Sequence, residues 1–153
     1  MPNLKPWYAS LRKPAWSPPN RAFAPVWTLL YTLIGISCAN VFGATPLQQP
    51  RALKALLLNA TLNFLWPPLF FGMKRLRPAA VLAFALLASA GFLSVVFAQT
   101  AGVLSTALLL PYCAWLSYAA ALNVRLWQLN KWKSIGGSSG YHRMAGRWPP
   151  PGL

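Results

Sequence analysis

Residues 52–71 read ALKALLLNATLNFLWPPLFF, and this stretch decides how the rest of the chain is understood. A helix needs about 20 mostly apolar residues to cross the hydrocarbon core of a bilayer. Here the one charge is Lys54, close to the start, where its stem can lie along the helix with the amine at the interface. Asn59, Asn63 and Trp66 recur at i, i+4 and i+7, which places them on one helical face. Carboxamides in hydrocarbon are costly unless paired, so that face is expected to turn toward other helices. Two readings follow: the asparagines clamp a neighbouring helix, or they form a polar patch inside a ligand cavity. Pro67 and Pro68 lack amide donors and free carbonyls one turn earlier, so the helix is expected to bend and open space beside Trp66.

Three further runs have the same character. Phe23–Phe42 carries no charge, Pro78–Ala98 follows a basic joint, and Val103–Leu122 extends toward Trp127. The joints at Gly43–Pro50, Gly72–Pro78 and Gln99–Gly102 carry turn-forming residues. The expected fold is all-α, a polytopic transmembrane bundle with four spans. Trp27 and Tyr31 share a face of the first span, and Tyr112, Ala119 and Asn123 are read as a corresponding face of the last. In the third span Ala79, Ala83, Ala90 and Ser94 align as a small-residue seam suited to close packing.

Among its 153 residues the chain has 14 Lys+Arg and 0 Asp+Glu, a formal charge of +14. Carboxylate acid–base pairs, acid-containing triads and carboxylate-ligated Mg²⁺ or Ca²⁺ are therefore excluded. Nucleic acid is not the expected partner, because the cations sit in short clusters between long apolar runs. Cys38 and Cys113 lie inside such runs and His142 is far away, so no metal site is expected. Met1–Pro19 is interrupted by prolines and lacks the apolar core of a signal peptide.

The cations divide unequally. Lys5, Arg12, Lys13, Arg21, Lys74, Arg75, Arg77, Arg125, Lys131, Lys133, Arg143 and Arg147 fall on one side of the four-span topology; Arg51 and Lys54 fall on the other. By the positive-inside rule both termini are expected in the cytoplasm, and without a targeting presequence a bacterial inner membrane is favoured. Residues 1–22 are read as an aromatic, proline-rich flap over the cytoplasmic mouth of a bundle at 23–130. The segment Trp7–Pro19 is read as too rich in proline for a helix, and residues 131–153 read as a disordered basic tail.

Five ordered motifs carry a family resemblance: WYASLRKPAWSPP at Trp7–Pro19, PVWTLLY at Pro25–Tyr31, LNFLWPPLFFG at Leu62–Gly72, PYCAW at Pro111–Trp115, and LN with W and LN following at Leu122–Asn130. Together they resemble the tryptophan-rich sensory protein/translocator protein (TspO/MBR) family. The resemblance implies a small bundle, usually a homodimer, with a pocket opening toward the flap. Its implied ligands are porphyrins such as protoporphyrin IX, or a haem-like tetrapyrrole, with no bound cofactor otherwise. Carried over residue by residue, the ligand-binding set is Tyr8, Pro18, Trp27, Tyr31, Asn59, Asn63 and Trp66. Ligand carboxylates would pair with Arg12, Lys13 or Arg21 at the mouth. Family members usually have five spans, the first preceding the WY motif, where only Met1–Pro6 stand here.

The leading expectation is thus a membrane receptor or carrier for a flat hydrophobic ligand, with a sensory or transport role and no catalytic residue. Two alternatives stay open. One is light-dependent porphyrin degradation through Trp27, although the second tryptophan implied for that chemistry is Val124 here. The other is a basic membrane anchor. The animal sterol motif is not matched, because six residues separate Tyr118 from Arg125.

Overall fold

The computed structural model describes residues 4–43 and 49–135. Its elements are α1 (Leu4–Ala9), a 3₁₀ turn (Asn20–Ala22), α2 (Phe23–Phe42), α3 (Pro50–Pro67), a π-helical turn (Pro68–Gly72), α4 (Leu76–Ala101), α5 (Val103–Ala107) and α6 (Leu110–Ile135). Among the described residues there is no strand, and four helical stretches are long and apolar enough to cross a membrane. The expected all-α multispan bundle is therefore the architecture observed.

Where the elements depart from expectation, proline accounts for the difference. Leu4–Ala9 is helical although it contains Pro6, because the first turn of a helix has no internal partner for its amides and tolerates a missing donor. The last span is not continuous from Val103. Pro111 has no amide hydrogen to offer the carbonyl of Ala107, so α5 stops there and α6 restarts with the proline in its first turn. Helix α6 also runs on to Ile135, past the boundary read at 130; the tail beyond it lies outside the described residues. The Pro67–Pro68 pair converts the end of α3 into the π-helical turn, the local distortion expected beside Trp66. Helix α4 ends at Gly102, whose φ of 81° favours glycine, and the Gly102 amide closes the turn on the Ala98 carbonyl at 2.9 Å.

Helix α4 is the centre of the bundle and packs chiefly on α6 and α3. Its seam is as expected: Ala79, Ala83, Ala90 and Ser94 are all buried, letting neighbouring backbones approach closely. The core lies in three layers along the bundle. Val41, Ala52, Leu93, Phe97 and Leu109 pack at one end; Leu30, Leu86, Tyr112 and Leu116 pack in the middle; Tyr8, Leu11, Phe70, Leu122 and Leu126 pack at the other. Phe64, Val81, Val103 and Leu104 face outward, as lipid-facing side chains do. Thr28, Thr32, Thr61 and Ser117 return their hydroxyls to carbonyls four residues earlier, which satisfies them without water.

Candidate functional site

A cavity of about 530 Å³ opens between α2, α3, α4 and α6 at the flap end of the bundle. Helix α2 contributes Phe23, Trp27 and Tyr31; α3 contributes Asn63 and Trp66; the π-helical turn adds Phe70 and Phe71; α6 supplies Trp115, Ala119, Leu122 and Asn123. Tyr8, Pro18 and Asn20 close it from the N-terminal segment. The lining is mainly aromatic and aliphatic with a few polar groups, the usual make-up of a small-molecule site.

Each wall follows from local sequence. Along α3 and the π-helical turn that continues it, the i, i+3, i+4, i+7 set Asn63, Trp66, Pro67 and Phe70 turns one stripe inward. The Trp66 and Phe70 rings stack with centroids 4.7 Å apart, and Phe71 stands edge-on to Trp66 at 5.8 Å. On α2, Trp27 stacks on Tyr31 at 5.2 Å and meets Tyr112 edge-on at 6.4 Å. These pairs hold the rings in fixed orientations before any ligand arrives.

A directed hydrogen-bond chain runs through the bundle behind this wall. Tyr31 Oη donates to Asn63 Oδ1 at 3.0 Å, Asn63 Nδ2 donates to Tyr112 Oη at 3.0 Å, and Tyr112 Oη donates to Asn59 Oδ1 at 3.0 Å. Asn59 Nδ2 then donates to Ser89 Oγ at 2.9 Å, and Ser89 Oγ donates to the Leu86 carbonyl at 2.8 Å. Asn59 is 5% exposed and lies behind the cavity rather than in its lining. Of the two readings offered for the asparagines, the structure thus divides them: Asn59 clamps α3 to α4 and α6, while Asn63 meets the cavity.

Six of the seven side chains carried over from the resemblance line this one cavity: Tyr8, Pro18, Trp27, Tyr31, Asn63 and Trp66. Arg12, Lys13 and Arg21 do not line it. Lys13 touches a lining residue, with Nζ 4.0 Å from the centroid of the Tyr8 ring, a cation–π contact at the rim. Burial, with Tyr118 adding to it, pushes the Tyr8 phenol above the ordinary tyrosine range, so that ring stays neutral under the lysine. Arg12 is held through its backbone: its amide donates to Asn130 Oδ1 at 3.0 Å and its carbonyl accepts from Asn130 Nδ2 at 2.9 Å. Tyr118 Oη donates to the Trp16 carbonyl at 2.6 Å, giving the segment a second anchor on α6.

The cavity also uses residues the sequence reading did not single out as ligand contacts. Phe70 and Phe71 lay inside a quoted motif, and Trp115 in another, but their direction depends on the π-helical turn and on the restart of α6.

The sequence profile of the TspO/MBR family matches residues 1–128. Protein CrtK of Rhodobacter capsulatus is 39% identical over 127 residues, covering 81% of this chain and 78% of that protein. The translocator protein of Ovis aries is 37% identical over 133 residues, 85% of this chain and 78% of that protein. Tryptophan-rich protein TspO of Archaeoglobus fulgidus is 37% identical over 128 residues, 84% and 82% respectively. Four membrane-length helices, the flap with its WY and WSPP residues, and a match across nearly the whole bundle agree: the chain is an integral, multi-pass membrane protein of the TspO/MBR family.

Proposed function

We propose that the cavity binds a flat, hydrophobic ligand of the tetrapyrrole class, and that the protein serves the membrane as a receptor or carrier for it. The observation that carries this reading is the aromatic enclosure: Trp27, Tyr31, Trp66, Phe70, Phe71 and Trp115 surround one space of about 530 Å³, within the roughly 300–1,000 Å³ typical of small-molecule sites. Ring faces suit stacking on a macrocycle. The 0 Asp+Glu of the chain leave no protein side-chain acid to compete for its cations, and Lys13 at the rim offers a charge to an anionic ligand edge. The tetrapyrrole is cargo or signal in this reading, not a cofactor. The same proposal places the flap and both termini on the cytoplasmic side of a bacterial inner membrane, with the chain as a homodimer.

The test is quenching of tryptophan fluorescence by protoporphyrin IX in detergent, with Trp27→Phe and Asn63→Ala beside the wild type. Saturable quenching is expected, weakened several-fold in Trp27→Phe. Quenching no stronger than that of an unrelated membrane protein overturns the proposal.

One observation favours a second reading. Trp27 borders the cavity stacked on Tyr31, a position from which an indole can pass an electron to an excited pigment. In that case illumination with oxygen converts bound porphyrin to a new absorbing product, and Trp27→Phe abolishes the conversion. Binding without light-dependent turnover discards this second reading and leaves the first.

A further inference from the structure

Two polar atoms of cavity-lining residues have no hydrogen-bond partner: the indole Nε1 of Trp66 and the carboxamide Oδ1 of Asn123. Both atoms are buried, and Asn123 is 4% exposed. Their placement is not accidental to the cavity. On α6, Ala119, Leu122, Asn123 and Leu126 fall at i, i+3, i+4 and i+7, and all four line it. Trp66 stands at i+3 in the inward stripe that begins at Asn63 and packs against the cluster that contains Leu122 and Leu126. The Asn123 amide is oriented by its own helix, because Nδ2 donates to the Ala119 carbonyl at 2.8 Å. Turning the amide over would set oxygen against oxygen, so Oδ1 is the edge left without a donor.

An unmatched donor and an unmatched acceptor within hydrocarbon are costly. The other carboxamides of the bundle interior, Asn59, Asn63 and Asn130, use both their oxygen and their nitrogen. Asn123 alone among these four leaves its oxygen unused.

We infer that Trp66 and Asn123 form a polar reading pair, which selects an apolar ligand bearing a neutral O–H group, an alcohol or an un-ionised carboxyl. The O–H donates to Asn123 Oδ1, and the same oxygen accepts from Trp66 Nε1. A carboxylate fails at this position, since it brings a second acceptor against Oδ1 and must shed its hydration. Neither atom is open to solvent in the empty cavity, so the ligand reaches them by displacing the side chains that cover them. The inference rests on the cavity being a ligand site and adds the chemistry of the group it reads.

Three probes on one skeleton test it: pyrene-1-methanol, its methyl ether and 1-methylpyrene, with affinity read as energy transfer from tryptophan to pyrene in detergent. The wild type is expected to bind the alcohol about fivefold to tenfold tighter than the ether. In Asn123→Leu that preference, read as the ratio of the alcohol's affinity to the ether's, falls to about twofold or less. Trp66→Phe weakens alcohol and ether alike. Equal affinity for alcohol and ether in the wild type, or an undiminished preference in Asn123→Leu, overturns the reading pair. If 1-methylpyrene binds in either case, the cavity stands as a ligand site and only this inference falls; if no probe binds saturably, both fall. Should Asn123→Leu not fold, the wild-type comparison and Trp66→Phe decide it.

Discussion

The hydroxyl of Tyr112 accepts from Asn63 and donates to Asn59, so its removal strands two carboxamide atoms where no water replaces it. Tyr31 sits at the open end of the same chain, 49% exposed, and its loss leaves only Asn63 Oδ1 at a half-open position. Tyr112→Phe is therefore expected to cost about 1–3 kcal/mol and Tyr31→Phe under about 1 kcal/mol. Thermal unfolding in detergent checks this: Tyr112→Phe should lower Tm by several degrees and Tyr31→Phe by little. Equal losses would show that the chain does not act as a connected unit. At this scale the sequence was informative about direction and not about partners. The spacing of Asn59, Asn63 and Trp66 identifies the inward face. That Asn59 is consumed by Ser89, 30 residues away, depends on how α3 and α4 are set against each other, which spacing does not encode. The cations behave likewise. Arg12, Lys13 and Arg21 are equivalent in the sequence, and only the fold puts Lys13 over Tyr8.

Helix boundaries were legible wherever a breaker stood between apolar runs, as at Gly43 and Gly102. They were less so where proline acts inside a run, because its effect depends on its place in the helix. Pro6 is absorbed in a first turn, Pro67 and Pro68 give a π-helical turn, and Pro111 splits the last span. The flap is the element whose behaviour the structure clarifies most. Its two anchors on α6, the Asn130 pair to Arg12 and the Tyr118 bond to Trp16, hold Tyr8 and Pro18 in the cavity wall. Asn130→Ala removes two hydrogen bonds worth about 1 kcal/mol each and frees the segment from one end. A bound pyrene probe should then leave roughly tenfold faster, and backbone amides of Tyr8–Ser17 should exchange faster with deuterium while those of α4 do not. Unchanged release with faster exchange would mean that the flap is not on the exit path.

The three core layers give the molecule two chemically different ends. Arg12, Lys13, Arg21, Lys74, Arg75, Arg77, Arg125 and Lys131 gather at the flap end, which the Asn130–Arg12 pair ties together, whereas Arg51 and Lys54 begin α3 at the other. With no acid anywhere in the chain, this imbalance is not offset by neighbouring carboxylates, and each cation near an anionic leaflet contributes about 1 kcal/mol to its attraction. The flap end is thus predicted to face the cytoplasm. A background carrying Cys38→Ala and Cys113→Ala permits single cysteines at exposed positions on either end, Met73→Cys beside the flap and Gln99→Cys opposite. In intact bacterial cells an impermeant maleimide should react with Gln99→Cys and leave Met73→Cys untouched until the membrane is opened. The reverse pattern would put the cavity mouth outside, and Lys13 would then meet ligands arriving from the periplasm rather than from the cytoplasm. Labelling of both sites in intact cells would mean a mixed orientation, in which case charge placement does not govern how this bundle inserts.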